Sequence, residues 1–286
     1  KLLDIVQVIT NGATPLRHDL TKGNIKFITP EFMSEFFINK VNKFILLKHH
    51  ETDLKRTQLK KGDILYCIKG RIGSVVPVLK DLNDFNINQD VAKIRLKDGF
   101  NPIYVATFLN TKYGTIQSER YQTGQINPFL GLNNLQKISI SILSQPFQQS
   151  IADLVNTSYT LRQSADELYK EAEEILLEEL GLKNYQPQNK KCFVKMLSDT
   201  QEAGRIDAEY FQPKYEDVID KIKKYKGGYA LLENFIENYS TGYPYKSEKY
   251  QNFGVPVIRI ANIEKNKLEL ENNPAFISEE YSNISK

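Results

Sequence analysis

Residues 11–15 and 25–28 read Asn11-Gly12-Ala13-Thr14-Pro15 and Ile25-Lys26-Phe27-Ile28, and the same turn and strand return as Thr241-Gly242-Tyr243-Pro244 and Val255-Pro256-Val257-Ile258. Gly12 maps to Gly242, Ile25 to Val255 and Ile28 to Ile258, each 230 residues further on. An internal repeat constrains architecture more than any single motif, because each copy must solve the same packing problem. Coincidence is the competing explanation, since Gly-Pro turns ahead of apolar strands are common. A module, a long helix and the module again suggest a bipartite reader that holds two recognition units at a fixed separation.

The segment between the copies carries the clearest periodicity. Leu154, Leu161, Leu168, Ile175 and Leu182 recur every seven residues, and Ile151, Ser158, Ala165 and Ala172 fill the other seam position. This predicts a helix over 147–182 with a coiled-coil-type seam, whose small residues let a partner helix approach closely. A single amphipathic helix packed on its own domain is the alternative. Gly181 is placed to stop the helix.

The rest of the chain sorts around that helix. Residues 1–146 read as mostly β with short helices: a strand over 2–10, Ile25 to Thr29, Ile64 to Ile68 with Val75 to Leu79 as its return across Gly70 and Gly73, and Val91 to Leu96. Pro102 opens a short helical pattern to Tyr113, and Ile138, Ile140 and Ile142 alternate like a strand. Residues 183–204 look like a polar linker, and Arg205 to Lys226 looks helical, interrupted at Gln212-Pro213 and ended by Gly227-Gly228. The second module begins near Tyr229. The expected organisation is α+β: a module over 1–146, the helix over 147–182, a linker and helix over 183–228, and the incomplete start of a second module over 229–286.

Composition narrows the function classes. The 286 residues allow about two domains. No apolar run approaches the roughly 18 residues of a membrane span, and two cysteines, Cys67 and Cys192, make no disulfide framework, which fits a reducing cytoplasm. Residue 1 is Lys rather than Met, as expected of part of a longer chain. Net charge is +3, unevenly spread: residues 1–146 hold 20 Lys and Arg against 12 Asp and Glu, a balance of +8, while 147–180 holds two bases against eight acids. The module would attract a polyanion and the helix would repel one.

No enzyme site assembles from the sequence. The three histidines, His18, His49 and His50, have no metal-ligand spacing with the cysteines. Asn101-Pro102-Ile103-Tyr104 is similar to the Asn-Pro-Pro-Tyr loop of amino-methyltransferases, but the second proline and any upstream Gly-rich cofactor loop are missing, so a Pro-initiated helix explains it better. Asp53-Leu54-Lys55 is the nearest fragment to a nuclease centre, which needs clustered acids. Gly70-Arg71-Ile72-Gly73 lies between strands, where hairpin geometry accounts for its glycines.

Side chains suited to DNA cluster instead at the turns. Thr14, Arg17, His18 and Lys22 follow the first turn; Lys69 and Arg71 flank the hairpin; Arg120, Tyr121, Gln122, Thr123, Gln125 and Asn127 form a donor-rich stretch; Tyr243, Tyr245, Lys246, Lys249 and Arg259 stand in the second copy. Arg and Lys pair with guanine, and Asn and Gln with adenine, in the major groove, while Lys also neutralises phosphate. Lys22 is the candidate phosphate contact. Arg71, Gln125 and Asn127 are the candidate base readers.

Taken in order, these residues resemble the specificity (S) subunit of type I restriction-modification systems. The landmarks are Leu2-Leu3-Asp4-Ile5 with Gly12-Ala13-Thr14-Pro15, Phe27-Ile28-Thr29-Pro30, Lys61-Gly62-Asp63-Ile64-Leu65 with Gly70-Arg71-Ile72-Gly73, Asn88-Gln89-Asp90-Val91, Gly124 through Leu135, and Pro146-Phe147-Gln148-Gln149-Ser150-Ile151 opening the helix. The resemblance implies that 1–146 is a target recognition domain reading half of a split DNA sequence. It implies that 147–182 is the conserved spacer helix and that 229–286 begins a second recognition domain. It further implies a non-catalytic chain without a cofactor of its own. Such a chain docks methyltransferase (M) subunits, which use S-adenosylmethionine, and through them a restriction (R) subunit. Lacking a second helix, the chain would pair with another copy. Two other readings stay open: the specificity region of a fused restriction-methyltransferase polypeptide, and a coiled-coil adaptor that does not bind DNA.

Overall fold

The first apolar run does two jobs rather than one. Leu2–Ile5 forms a helical turn (α1) and Val6–Asn11 forms strand β1. The predicted strand breaks because the Leu2 and Leu3 N–H groups donate to the Ile138 and Gln136 carbonyls, at 2.7 and 3.0 Å, which leaves them nothing for a ladder. A computed structural model describes residues 1–15, 23–34, 36–38, 40–187, 190–264, 267–270 and 273–282. The chain divides into two compact units, Lys1–Ile175 and Leu176–Lys286. The architecture is α+β, as expected.

In the first unit the elements after β1 are β2 (Ile25–Ile28), β3 (Met33–Ser34), β4 (Phe37–Ile38), β5 (Phe44–Ile45), α2 (Leu47–Glu51), β6 (Ile64–Cys67), β7 (Val75–Pro77), β8 (Phe85–Ile87) and β9 (Val91–Leu96). A four-stranded antiparallel sheet has the order β1-β9-β6-β7. The β6 run is apolar throughout because both its faces are covered. Ile64, Tyr66 and Ile68 point into one core, and Leu65 and Cys67, one residue out of phase, point into a second. A three-stranded sheet, β5-β2-β8, builds on that second core, with β2 antiparallel to β5 and parallel to β8. Alternation along β2 sends Ile28 into it and Ile25 and Phe27 to a third cluster with Ile45 and Leu54.

Helices α3 (Pro102–Leu109), α4 (Lys112–Tyr121) and α5 (Leu132–Leu135) precede the long helix α6 (Gln145–Glu179). The sequence pattern stopped at Tyr113 and missed α4, which Thr111 caps by accepting the Gly114 N–H. The predicted strand over Ile138, Ile140 and Ile142 does not form: α1 takes the 136 and 138 carbonyls, and Ile142 is exposed. Helix α6 ends where Gly181, at φ 66°, lets the Leu182 N–H reach back to the Leu177 carbonyl at 2.7 Å.

In the second unit α7 (Leu197–Ala203) lies inside the predicted linker, and α8 (Pro213–Lys223) is shorter than the predicted helix. Gly204, at φ 63°, ends α7, Arg205 turns onto Asp207 through two 2.8 Å bonds, and Gln212 precedes a proline, which disfavours helix before α8. Then β10 (Val255–Pro256), β11 (Ile263–Glu264), β12 (Lys267–Leu268), β13 (Phe276–Ile277) and α9 (Glu279–Ser282) follow. Their order repeats β2, β3, β4, β5 and α2. Ile25 pairs with Ile45 as Val255 pairs with Ile277, and Met33 with Ile38 as Ile263 with Leu268. The repeat seen in the sequence is therefore a repeat of pairing.

Candidate nucleic-acid interface

Four connecting segments of the first unit meet along one edge of the fold. Strand β1 runs out at Asn11, opposite the start of β9, and the Gly12 N–H donates to the Val91 carbonyl at 3.4 Å. The β8–β9 connection turns on Asn88, whose side-chain oxygen accepts the Asp90 N–H at 3.1 Å and whose amide donates to the Asp90 carboxylate at 2.9 Å. Asn11 donates to the Gln89 carbonyl at 3.1 Å and the Thr14 hydroxyl to the Gln89 side-chain oxygen, which fastens the first turn to this one.

From there the bonds continue across the sheet. The Ile68 N–H donates to the Asp90 carbonyl at 2.8 Å, and the Ile68 carbonyl accepts the Leu130 N–H at 2.9 Å. This places the turn of Lys69 to Gly73 between the 88–90 turn and the 123–129 loop. Lys69 also bridges to Phe129. Thr123 and Phe129 exchange both backbone bonds at 2.9 Å, which closes the loop, and Gly124 takes the left-handed φ of 87° that the reversal needs. Thr14, Gln89, Lys69, Arg71, Gln125 and Asn127 are all exposed here. Ile126, between the two amides, is 93% exposed. Cys67 supports the turn from beneath: its thiol donates to the Lys69 carbonyl at 2.9 Å, and burial pushes it up from its ordinary pKa, keeping it protonated.

The structure thus brings Thr14, Lys69, Arg71, Gln125 and Asn127 onto one edge. Arg17 and Lys22, with His18, lie outside the described residues. Sequence reasoning missed two neighbours. Gln89 was visible as the middle of an Asn-x-Asp turn before a strand, the signal for an exposed side chain between two turn formers. Arg56 had no local signal: it reaches the edge by donating to the Asn11 carbonyl at 3.2 Å.

Tyr243, Tyr245 and Lys246 belong to the second unit. The Tyr243 and Tyr245 rings sit 4.9 Å apart, and the Tyr245 hydroxyl donates to the Tyr281 carbonyl at 3.2 Å. Tyr243 and Lys246 are exposed, whereas Lys249 and Arg259 are engaged with Tyr281 and the Asn273 carbonyl.

The seam of α6 faces outward. Leu154, Leu161, Leu168 and Ile175 are exposed, by 72, 65, 64 and 60%. The start of the helix is instead sunk into the module. Gln148 is buried, donating to the Leu143 carbonyl at 2.8 Å and accepting the Asn101 N–H at 3.3 Å, and Ile151 and Ala152 pack beside it.

The fragments with an enzymatic look have structural employment. Asn101 caps α3, its side-chain oxygen accepting the Ile103 and Tyr104 N–H groups at 3.0 and 3.2 Å. Asp53 faces His49 at 3.4 Å. Among the described residues no three His, Cys, Asp or Glu side chains gather as a metal site would require, and no helix is long and apolar enough to cross a membrane.

The family model described as the type I restriction modification DNA specificity domain matches residues 1–174, more than half of the chain. Three solved structures are similar to it. The S subunit of a type I restriction-modification system from M. genitalium is 13% identical over 63% of this chain and 43% of its own, with a TM-score of 0.47. The HsdS subunit from Thermoanaerobacter tengcongensis is 15% identical over 63% and 47%, with a TM-score of 0.41. A structure described as showing complex assembly and conformational transition of the type I R-M system is 14% identical over 61% and 42%, with a TM-score of 0.40. The chain spans less than half the length of each. No curated protein matches it.

Proposed function

The chain belongs to the family of type I restriction-modification DNA specificity domains, and on that premise we propose that residues 1–146 read one half of a bipartite duplex target while α6 sets the distance to the other half. The observation that carries this reading is the single edge on which four exposed polar turns converge. A groove of DNA is read by side chains at fixed relative positions, and a chain of backbone bonds from Asp90 through Ile68 to Leu130 supplies that rigidity. Lys69 is suited to a phosphate. Arg71, Gln125 and Asn127 are suited to base edges, and Ile126 to a thymine methyl. The second unit repeats the opening strands of the module and is proposed to begin the reader of the other half, with Tyr243, Tyr245 and Lys246 on its approach side.

The exposed apolar seam is proposed to pack against a second helix, from another copy of the chain or from further sequence, in an assembly with the methyltransferase and restriction subunits in the cytoplasm. Methyl transfer from S-adenosylmethionine would belong to the methyltransferase subunit. The test uses the assembled complex and measures modification at single-base variants of its target. Arg71→Ala, Gln125→Ala or Asn127→Ala is expected to relax the preference at one position, each costing about 1–3 kcal/mol against the correct base. The chain without partners is expected to transfer no methyl group. Unchanged preference at every position in all three variants would remove this edge as the reading surface.

A further inference from the structure

The hairpin of β3 and β4, whose Met33 and Ile38 pack in the second core, also touches α6. The Phe37 ring lies 5.6 Å from the Tyr159 ring, tilted by 39°, and the Arg162 guanidinium stands 5.7 Å from the centre of the Phe37 ring. The Tyr159 hydroxyl in turn accepts from Gln163 at 3.0 Å. Phe36, next in the chain, packs on the first core and sits at φ 68°, a conformation a phenylalanine holds only where its surroundings compel it. One aromatic is anchored inward, and its neighbour is presented outward to the helix.

The position of this contact gives it leverage. The base of α6 is held at Gln148 and Ala152. Tyr159 lies eleven residues beyond Gln148, roughly 16 Å along the axis at 1.5 Å per residue. A rod gripped at one end pivots; a rod gripped at two separated points has a defined direction. In the repeat, the register that pairs Ser34 with Phe37 pairs Glu264 with Lys267, so the aromatic is particular to the first copy.

We propose that Phe37, Tyr159 and Arg162 form a clasp that fixes the angle of α6 to the reading edge. On the reading proposed above, the clasp thereby fixes which separation of half-sites is accepted. Phe37 is a positioning residue; it is not part of the reading edge itself.

Two measurements separate the clasp from the reading on which its consequence rests. The first needs no DNA: nitroxides at Glu119→Cys and Lys170→Cys, both exposed, in the full chain with Cys192→Ser, give a module-to-helix distance distribution by electron–electron double resonance. The unaltered clasp and its conservative variant Phe37→Tyr are expected to give one narrow distribution, and Phe37→Ala to lose it, with helix content by circular dichroism unchanged. A narrow distribution in Phe37→Ala overturns the clasp. The second maps methylated sites in cells carrying the complete system. Phe37→Ala is expected to lose the preference for a single half-site spacing and to keep both half-site sequences, and Phe37→Tyr to restore the preference. Broadened distances with an unchanged spacing preference overturn the functional role. Absence of any bipartite methylated sequence in the unaltered system overturns the reading and leaves the clasp to the distance measurement.

Discussion

Gly12 and Gly242 occupy the same place in the sequence repeat and should respond unequally to the same substitution. A Cβ built on Gly12 stands 2.6 Å from the Asn88 carbonyl oxygen and closer still to that of Ile87, whereas one on Gly242 meets nothing within 4 Å. Ordinary contact is about 3.5 Å, so Gly12→Ala requires the β8–β9 connection to retreat by about 1 Å or more. The obstructing atoms are backbone carbonyls, which cannot rotate aside, and Ile87 is already paired in register with Ile28. The retreat also strains the Gly12–Val91 bond, long at 3.4 Å. Overpacking of this kind costs about 2–3 kcal/mol, a fall in Tm of about 5–10 °C for a unit of this size. Gly242→Ala, at an open position, should stay within about 0.5 kcal/mol of the parent. The chain has no tryptophan, so both variants are best followed by thermal unfolding in far-UV circular dichroism. Hydrogen exchange at Val91 would report local opening beside Gly12. Equal shifts in the two variants would refute the argument that close approach, rather than turn flexibility, dictates glycine at residue 12.

Two further outcomes are expected. Leu161→Asp places a charge in the exposed seam, where pairing would bury it at a cost of several kcal/mol; it should abolish assembly, measured by sedimentation, and leave the thermal unfolding of the first module unchanged, and normal assembly would exclude the seam. His50 is buried, its Nδ1 3.1 Å from the Asn86 amide that also donates to the Leu54 carbonyl. Burial lowers its pKa below the ordinary 6.5, against the opposing pull of Glu51, the Asn83 carbonyl and Asp84. Its contribution to stability is therefore complete above that ordinary value and is lost as pH falls toward the folded one, so urea titrations should show stability declining below about pH 6.5 in the parent and a shallower decline in His50→Gln; identical slopes would exclude His50 as the cause.

Local rules account for what was legible in the sequence. The helix over 145–179 and its stop at Gly181 follow from a period and a left-handed glycine, both properties of neighbours in the chain. The repeat was visible because turns and strands with the same pairing demands keep the same residue types at the same spacing. Thr14, Lys69, Arg71, Gln125 and Asn127 could each be picked out singly from turn chemistry. Their common edge could not, because it depends on Ile68 bonding Asp90 on one side and Leu130 on the other, between segments far apart in sequence. The same physics explains the misses. Leu2 to Ile5 reads as strand until the 136 and 138 carbonyls claim its N–H groups, and the alternation of Ile138, Ile140 and Ile142 mimics a strand whose acceptors are already spent. The clasp of Phe37 on Tyr159 and Arg162 is likewise beyond any pattern, since nothing in a two-residue strand announces which distant helix it will meet. The sequence by itself determined the long helix, the repeated turn and strand, and the family, because these rest on periodicity, turn residues and the order of short motifs along the chain. Only the tertiary structure decided which turns share a surface and how the long helix is held, because those are set by hydrogen bonds and ring contacts between residues with no relation in sequence.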